Sequence, residues 1–247
     1  MKVNAIIQAR CGSTRFPRKV FAEIEGKPLL WHVVNRLRAS ETLDDIIVAT
    51  TVHPEDDVIE NWCGENGVPV FRGSAEDVLN RYFEASRAFP SDVIVRITAD
   101  DPFKEPAVID RVVRKLVNEN YDLVTNNFPP SFPEGLDCEA FTADVLRTME
   151  ENAKDSFERE HVTQYVYRRP DAFRIGNVSC DRHLSDYRWT IDSREDYEMV
   201  KAVYAARAED KEKFLRMDEI LEILEKHPEI AKINAGVKRS AMYQKKG

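Results

Sequence analysis

Short apolar runs alternate with amphipathic helical stretches along most of this chain of 247 residues, and that alternation constrains its fold more than any single motif. Residues 3–7, 45–51, 68–71, 92–97 and 122–125 read as strands. Between them, Leu29, Leu30, Val33, Val34 and Leu37 fall on one helical face, and Val108, Ile109, Val112, Val113, Leu116 and Val117 make a second stripe. Pro28 and Pro106 stand at first helical positions, where a missing N–H is no loss. Strands separated by helices pair in parallel. The pattern predicts an α/β fold with a mostly parallel, mixed sheet flanked by helices.

Further on, residues 138–141 read as a strand and 144–152 as a helix. A polar helix is expected over 157–168, with strands at 173–178 and 186–191, the second alternating Tyr187, Trp189 and Ile191. Ser193-Arg194-Glu195-Asp196 resembles a capping box that opens a helix to about residue 207. An amphipathic helix at 217–226 precedes a basic tail. Residues 1–205 are expected to form the functional unit, with 206–247 a helical appendage and tail of the same domain. The stretch 126–137 holds three prolines and Gly135 and reads as a long, partly stiffened loop.

In such sheets ligands bind beyond the carboxyl ends of the strands. The first strand runs into Ala9-Arg10-Cys11-Gly12-Ser13-Thr14-Arg15-Phe16-Pro17-Arg18-Lys19, with four cations and no acid, against a net charge of −8 for the whole chain. That overall charge opposes a general affinity for nucleic acid or anionic membranes, so an anion must be met locally. A basic, hydroxyl-bearing loop here suits a polyphosphate, although a solvated basic loop has the same composition. It is not a Walker A motif, because Pro28 follows Gly26-Lys27 and Phe21 stands where the leading glycine belongs. It is not a dinucleotide fingerprint either, since Gly12 is its only glycine. Cys11, Cys63, Cys138 and Cys180 form no C-x-x-C pair and read as reduced thiols. No apolar run approaches the ~20 residues that span a bilayer, and a cytoplasmic protein is expected.

Asp100, after the strand at 92–97, and Asp192, after the Trp189 stretch, fall at equivalent positions. Mg²⁺ takes one or two carboxylates plus substrate phosphates, so one Asp from each loop would suffice. Each also has a plain reading, Asp100 as a turn residue before Pro102 and Asp192 as a neighbour of a helix cap. Gly73-Ser74 exposes backbone groups at a helix start, where Ser74 and Asp77 also fit an ordinary capping box. His161 lies on a polar helix face, where a surface role is the simpler reading.

Five ordered blocks resemble one known family. They are Ile6-Ile7-Gln8-Ala9-Arg10 with Ser13-Thr14-Arg15-x-Pro17-x-Lys19 and Gly26-Lys27-Pro28-Leu29; Arg72-Gly73-Ser74-x-x-Asp77-Val78-Leu79-x-Arg81-Tyr82; Arg96-Ile97-Thr98-Ala99-Asp100-Asp101-Pro102; Glu134-Gly135-Leu136-Asp137-Cys138-Glu139 with Arg159-Glu160-His161-Val162-Thr163; and Arg188-Trp189-Thr190-Ile191-Asp192-x-x-Glu195-Asp196. Together they resemble the sugar-acid cytidylyltransferases, and more closely their relative, the spore coat polysaccharide biosynthesis protein F family. The resemblance implies a nucleotide-diphospho-sugar transferase (Rossmann-like) fold, a homodimer, CTP as co-substrate and Mg²⁺ as cofactor. It implies that Arg10, Ser13, Arg15 and Lys19 hold the triphosphate and that Gly73 and Ser74, with Asp77 and Arg81, lie at the cytosine and ribose. Asp100 and Asp192 would be the metal carboxylates, and Asp137, Glu139 and His161 would face the acceptor. Arg18 stands where the family most often has Gly, Ala99 at a position often Gly, and Ser193-Arg194 in place of Thr-Pro.

The expected chemistry is transfer of CMP from CTP to a sugar or sugar-acid acceptor with release of pyrophosphate, Arg15, Lys19 and Asp100 being the catalytic residues. Two alternatives stay open at this point. A glycosyltransferase of the same fold would release a nucleoside diphosphate from a nucleotide sugar, and a silent nucleotide-binding subunit would bind CTP without releasing pyrophosphate.

Overall fold

Alternate residues of β1 (Val3–Gln8) enter different cores: Ala5 and Ile7 pack on one face of the sheet and Ile6 on the other. This two-sided burial is what a central parallel strand requires. A computed structural model describes residues 1–207 and 214–237; the basic tail from 238 onward lies outside the described residues. After β1 comes a small antiparallel hairpin, β2 (Glu23–Ile24) and β3 (Lys27–Pro28). The main sheet adds β4 (Asp45–Thr51), β5 (Val70–Gly73), β6 (Val93–Thr98), β7 (Leu123–Thr125), β8 (Glu139–Thr142) and β9 (Ile175–Asn177). Its strand order is β5-β4-β1-β6-β8-β7-β9, with β8 antiparallel to both neighbours and every other pair parallel.

Helices cover both faces. One core takes α1 (Leu29–Leu37), α2 (Asp57–Glu65), α4 (Pro106–Glu119), α8 (Arg194–Ala205), α9 (Met217–Lys226) and Ile230 of α10 (Pro228–Lys232). The other takes α3 (Val78–Ala88), α5 (Ala143–Asn152) and Val166 of α7 (Gln164–Tyr167), which follows α6 (Ser156–Glu160). After β1 the chain lays β4 and β5 on one side, then crosses to β6 on the other. The strand order therefore reverses between β1 and β6, and a crevice opens outside their carboxyl ends.

Three local expectations are corrected. Residues 186–191 form no strand: they make only a single bridge between Glu134 and Arg188, after which Ile191 N donates to Asp100 O at 2.9 Å. The alternating burial of Trp189 and Ile191 arises because this extended segment packs over the strand ends. The helix expected over 157–168 is broken into α6 and α7 by Val162, whose φ of 45° is incompatible with a continuous helix. Burial of the Val162 side chain in the core holds it there. Finally, α3 is capped by Asp77 rather than Ser74: the Asp77 carboxylate accepts from Asn80 N at 2.9 Å, and Ser74 Oγ accepts from Asp77 N one turn earlier.

Candidate active site

Pairing of β1 with β6 runs on past the strands, since Ala99 N donates to Gln8 O at 3.2 Å. The basic loop and the Asp100 turn therefore leave the sheet side by side. The loop is pinned at its root. Cys11 N donates to the buried Asp56 carboxylate at 2.7 Å, and Cys11 O accepts from both Ser13 N and Arg18 N, at 2.8 and 2.9 Å. Arg18 sits at φ 56°, a left-handed conformation that is natural for glycine and unfavourable for other residues. That geometry begins the short 3-10 turn Lys19–Phe21 and aims Lys19 inward.

Lys19 Nζ reaches Asp100 Oδ2 at 2.8 Å, Asp192 Oδ1 at 2.7 Å and the Ile191 carbonyl at 2.9 Å, so each of its three N–H donors has an acceptor. Burial opposes its charge, but Asp100 and then Asp192 outweigh burial and hold the ammonium above the ordinary lysine range. Burial likewise pushes Asp100 up, and Lys19 overcomes it, leaving the carboxyl at about 2. Arg15 reaches the other oxygen of Asp192 at 3.1 Å, while Arg10 and Arg18 stay exposed.

Asp192 owes its position to a buried polar network behind it. Arg188 donates to both oxygens of Asp196, at 2.9 and 3.0 Å, to Glu134 at 2.7 Å and to Asp192 Oδ2 at 3.2 Å. Asp196 also accepts from the backbone of Asp192 and Ser193, at 3.1 and 3.0 Å. Asn234, after α10, closes the network by donating to Asp196 Oδ1 and to Arg188 O, both at 2.9 Å. In the sequence Arg188 and Asp196 belong to the last family-like block, and Asp196 also to the capping-box pattern at Ser193, while nothing pointed to Asn234. Asp101, beside Asp100, is committed elsewhere, accepting from Thr98 Oγ1 and Lys104 Nζ, both at 2.7 Å.

Two carboxylates that meet at one cationic atom are a donor set of the kind a hard Mg²⁺ ion takes. Such an ion completes its shell with substrate phosphates and water. The donor set fits.

The Gly73-Ser74 turn lies at the end of β5, on the far side of β4 from β1. A Cβ at Gly73 would fall 2.8 Å from the Phe71 ring and 3.1 Å from Arg81 Cγ, so the turn is packed down onto Arg81. Arg81 is buried and donates to Ser74 O at 2.6 Å, and Asp77 is held by Arg159 at 2.6–3.0 Å. Asp77 and Arg81 thus brace the turn from beneath.

On the other flank, Glu139 is fully engaged. It accepts from Arg96 at 2.6 Å, Tyr167 at 2.6 Å and Thr163 at 2.9 Å. Asp137 is half-buried two residues before it. His161 sits at the end of α6 with its ring edge-on to Phe157, centroids 4.4 Å apart, and burial lowers its pKa. The structure joins Lys19, Arg15, Asp100 and Asp192 directly and leaves His161 outside that cluster.

A family model described as cytidylyltransferase matches residues 4–241. The chain is 38% identical to an uncharacterized protein of Methanocaldococcus jannaschii over 98% of both chains. It is 33% identical to the spore coat polysaccharide biosynthesis protein SpsF of Bacillus subtilis, covering 92% of this chain and 95% of that one. A 3-deoxy-manno-octulosonate cytidylyltransferase of Geobacter metallireducens is 37% identical over 47% of this chain and 45% of its own. Among solved structures, a cytidylyltransferase from Leptospira borgpetersenii superposes with a TM-score of 0.88 at 33% identity, covering 94% of this chain and 97% of that one. With a family match that runs nearly end to end and a fold shared at that level, this chain belongs to the cytidylyltransferase family.

Proposed function

We propose that this protein transfers CMP from CTP to a hydroxyl of a sugar or sugar acid, releasing pyrophosphate, in the assembly of a surface or spore polysaccharide. One observation carries the reading: Lys19 of the basic loop joins Asp100 and Asp192 at the point where the strand order reverses. Phosphate-binding cations and cation-binding carboxylates thereby meet at one place, as transfer at a metal-bound phosphate requires.

Arg10, Ser13, Arg15 and Lys19 would hold the triphosphate, and backbone groups of Gly73 and Ser74 would read the base. Asp100 and Asp192 would hold Mg²⁺, which when bound offsets negative charge on the phosphate oxygens. The acceptor oxygen attacks the α-phosphorus in line, and the bond to the β-phosphate breaks. The work of the chain is positioning and charge neutralisation. Arg15 and Lys19 are placed to stabilise the departing pyrophosphate. Without nucleotide, Lys19 neutralises the two carboxylates, and with nucleotide its ammonium turns to phosphate. The acceptor lies on the β6–β8 side of the crevice, facing Asp137.

A thermal-shift panel of nucleoside triphosphates with and without Mg²⁺ tests the donor. Stabilisation selective for CTP with Mg²⁺ is expected, and an equal response to all four nucleotides would sink the assignment. No helix among the described residues is long and apolar enough to cross a membrane; in this reading the enzyme is cytoplasmic and draws on soluble CTP. A homodimer completes the reading and is tested by light scattering.

A further inference from the structure

We propose that Asp56 is the positioning residue that keeps the basic loop in its triphosphate-binding shape; the proposal rests on the nucleotidyl-transfer reading above.

Asp56 ends the 3-10 turn Pro54–Asp56 that follows β4, and it stands at the N-cap of α2. An Asp there ordinarily turns its carboxylate onto the first N–H groups of its own helix. Asp56 makes no such cap. Its carboxylate goes instead to two other segments: Oδ1 accepts from Cys11 N at 2.7 Å, and Oδ2 accepts from the hydroxyl of Thr51, the last residue of β4. Thr51 Oγ1 is itself oriented by accepting from His53 N at 3.1 Å. Asp56 is 1% exposed, so the group that receives Cys11 N is fixed in the interior, where water does not compete for it.

The residue that Asp56 grips is the knot of the loop. Cys11 O accepts from Ser13 N at 2.8 Å and from Arg18 N at 2.9 Å, so residues 12–17 form a closed loop tied at one place. Ser13 and Arg15 lie inside it, and Lys19 follows the closing bond by one residue. The turn that carries Asp56 meets the loop a second time, since a Cβ at Gly12 would lie 2.7 Å from Glu55 Oε1. The root of the loop is thereby clamped to the end of β4, the neighbour of β1 in the sheet.

A loop whose donors must all meet one polyphosphate binds more tightly when it is ordered beforehand, because less ordering is left to oppose binding. Without the Asp56 carboxylate, Ser13 and Arg15 lose their common anchor. The Gly73-Ser74 turn has braces of its own in Arg81 and Asp77. The effect is therefore selective: contacts to the β- and γ-phosphates weaken, and contacts to the cytidine do not. Shape rather than charge carries the role, because both oxygens of Asp56 receive neutral donors. An amide at this position keeps Oδ1 for Cys11 N and can donate to Thr51 Oγ1, whereas a methyl group does neither.

Calorimetric titration of CTP and of CMP, each with Mg²⁺, into wild type, Asp56→Ala and Asp56→Asn tests this. Asp56→Ala should bind CTP about 10-fold or more weakly, the weight of one hydrogen bond to a charged group, and CMP within about 3-fold of wild type. Asp56→Asn should stay close to wild type for both nucleotides. Equal weakening of CTP and CMP in Asp56→Ala, the mark of general damage, leaves their affinity ratio unchanged and overturns the proposal. A loss of CTP affinity in Asp56→Asn as large as in Asp56→Ala overturns it too. If Asp56→Ala does not fold, Thr51→Val carries the test by removing the donor that fixes Oδ2: the ratio of CTP to CMP affinity should fall, and an unchanged ratio overturns the proposal. A wild-type protein that binds CTP no more tightly than CMP overturns the transfer reading itself, a separate result.

Discussion

Replacing Lys19 by Met removes the ammonium from between Asp100 and Asp192 and keeps most of the apolar stem. Lys19 holds Asp100 at about 2, against an unfolded value near 3.9, a difference that corresponds to about 2 kcal/mol of folding stability. The sign follows from the direction. A depressed carboxyl contributes fully above the unfolded pKa, and the contribution is lost as pH falls through the folded value. The variant should therefore be less stable by about 2 kcal/mol at pH 7, with the deficit shrinking steadily between pH 4 and pH 2. For a chain of this size that is a fall in Tm of roughly 4–8 °C at neutral pH. Urea titrations at pH 7, 4 and 2.5 read it directly. Adding Mg²⁺ without nucleotide should recover part of the loss in the variant and do little for wild type, whose carboxylates already have a counter-charge. A variant as stable as wild type at pH 7, or one with the same deficit at pH 7 and pH 2.5, would refute the claim that Lys19 neutralises this pair.

Two further outcomes follow from the local geometry. At Arg18, with φ at 56°, Gly should be more stable than Ala by about 1 kcal/mol, because only glycine meets no Cβ penalty there; equal urea midpoints for Arg18→Gly and Arg18→Ala would contradict the left-handed assignment. Asn234→Ala removes two donors from the buried Arg188–Asp196 network and should cost about 1–3 kcal/mol, while raising the Mg²⁺ concentration for half-maximal activity with little change in the KM for CTP.

The sheet and its exits were legible because they rest on local pattern. Apolar runs such as 92–97 and proline-started stripes such as 106–117 declare themselves, and Asp100 and the basic loop follow at strand ends. What was not legible depends on contacts distant in sequence. The Trp189 stretch alternates like a strand, yet it is buried by lying over the ends of other strands, with a single bridge to Glu134. The helix expected across His161 is interrupted because the core takes the Val162 side chain at a backbone angle that no propensity anticipates. Asp77 and Arg81 carry the family's pattern, but their contacts with Arg159 and the Ser74 carbonyl could not be read from it. Arg188 and Asp196 are marked by pattern but not by partner, and Asn234 is an ordinary polar residue, until folding buries the three together behind Asp192.

The most direct test of the central claim is the release of pyrophosphate from CTP by wild type and by Asp100→Asn, with CTP binding measured in parallel. If Asp100 is one of the two carboxylates around which the transfer is built, turnover should fall by about 100-fold or more while CTP affinity changes only a few-fold. Near-normal turnover in the variant would contradict it.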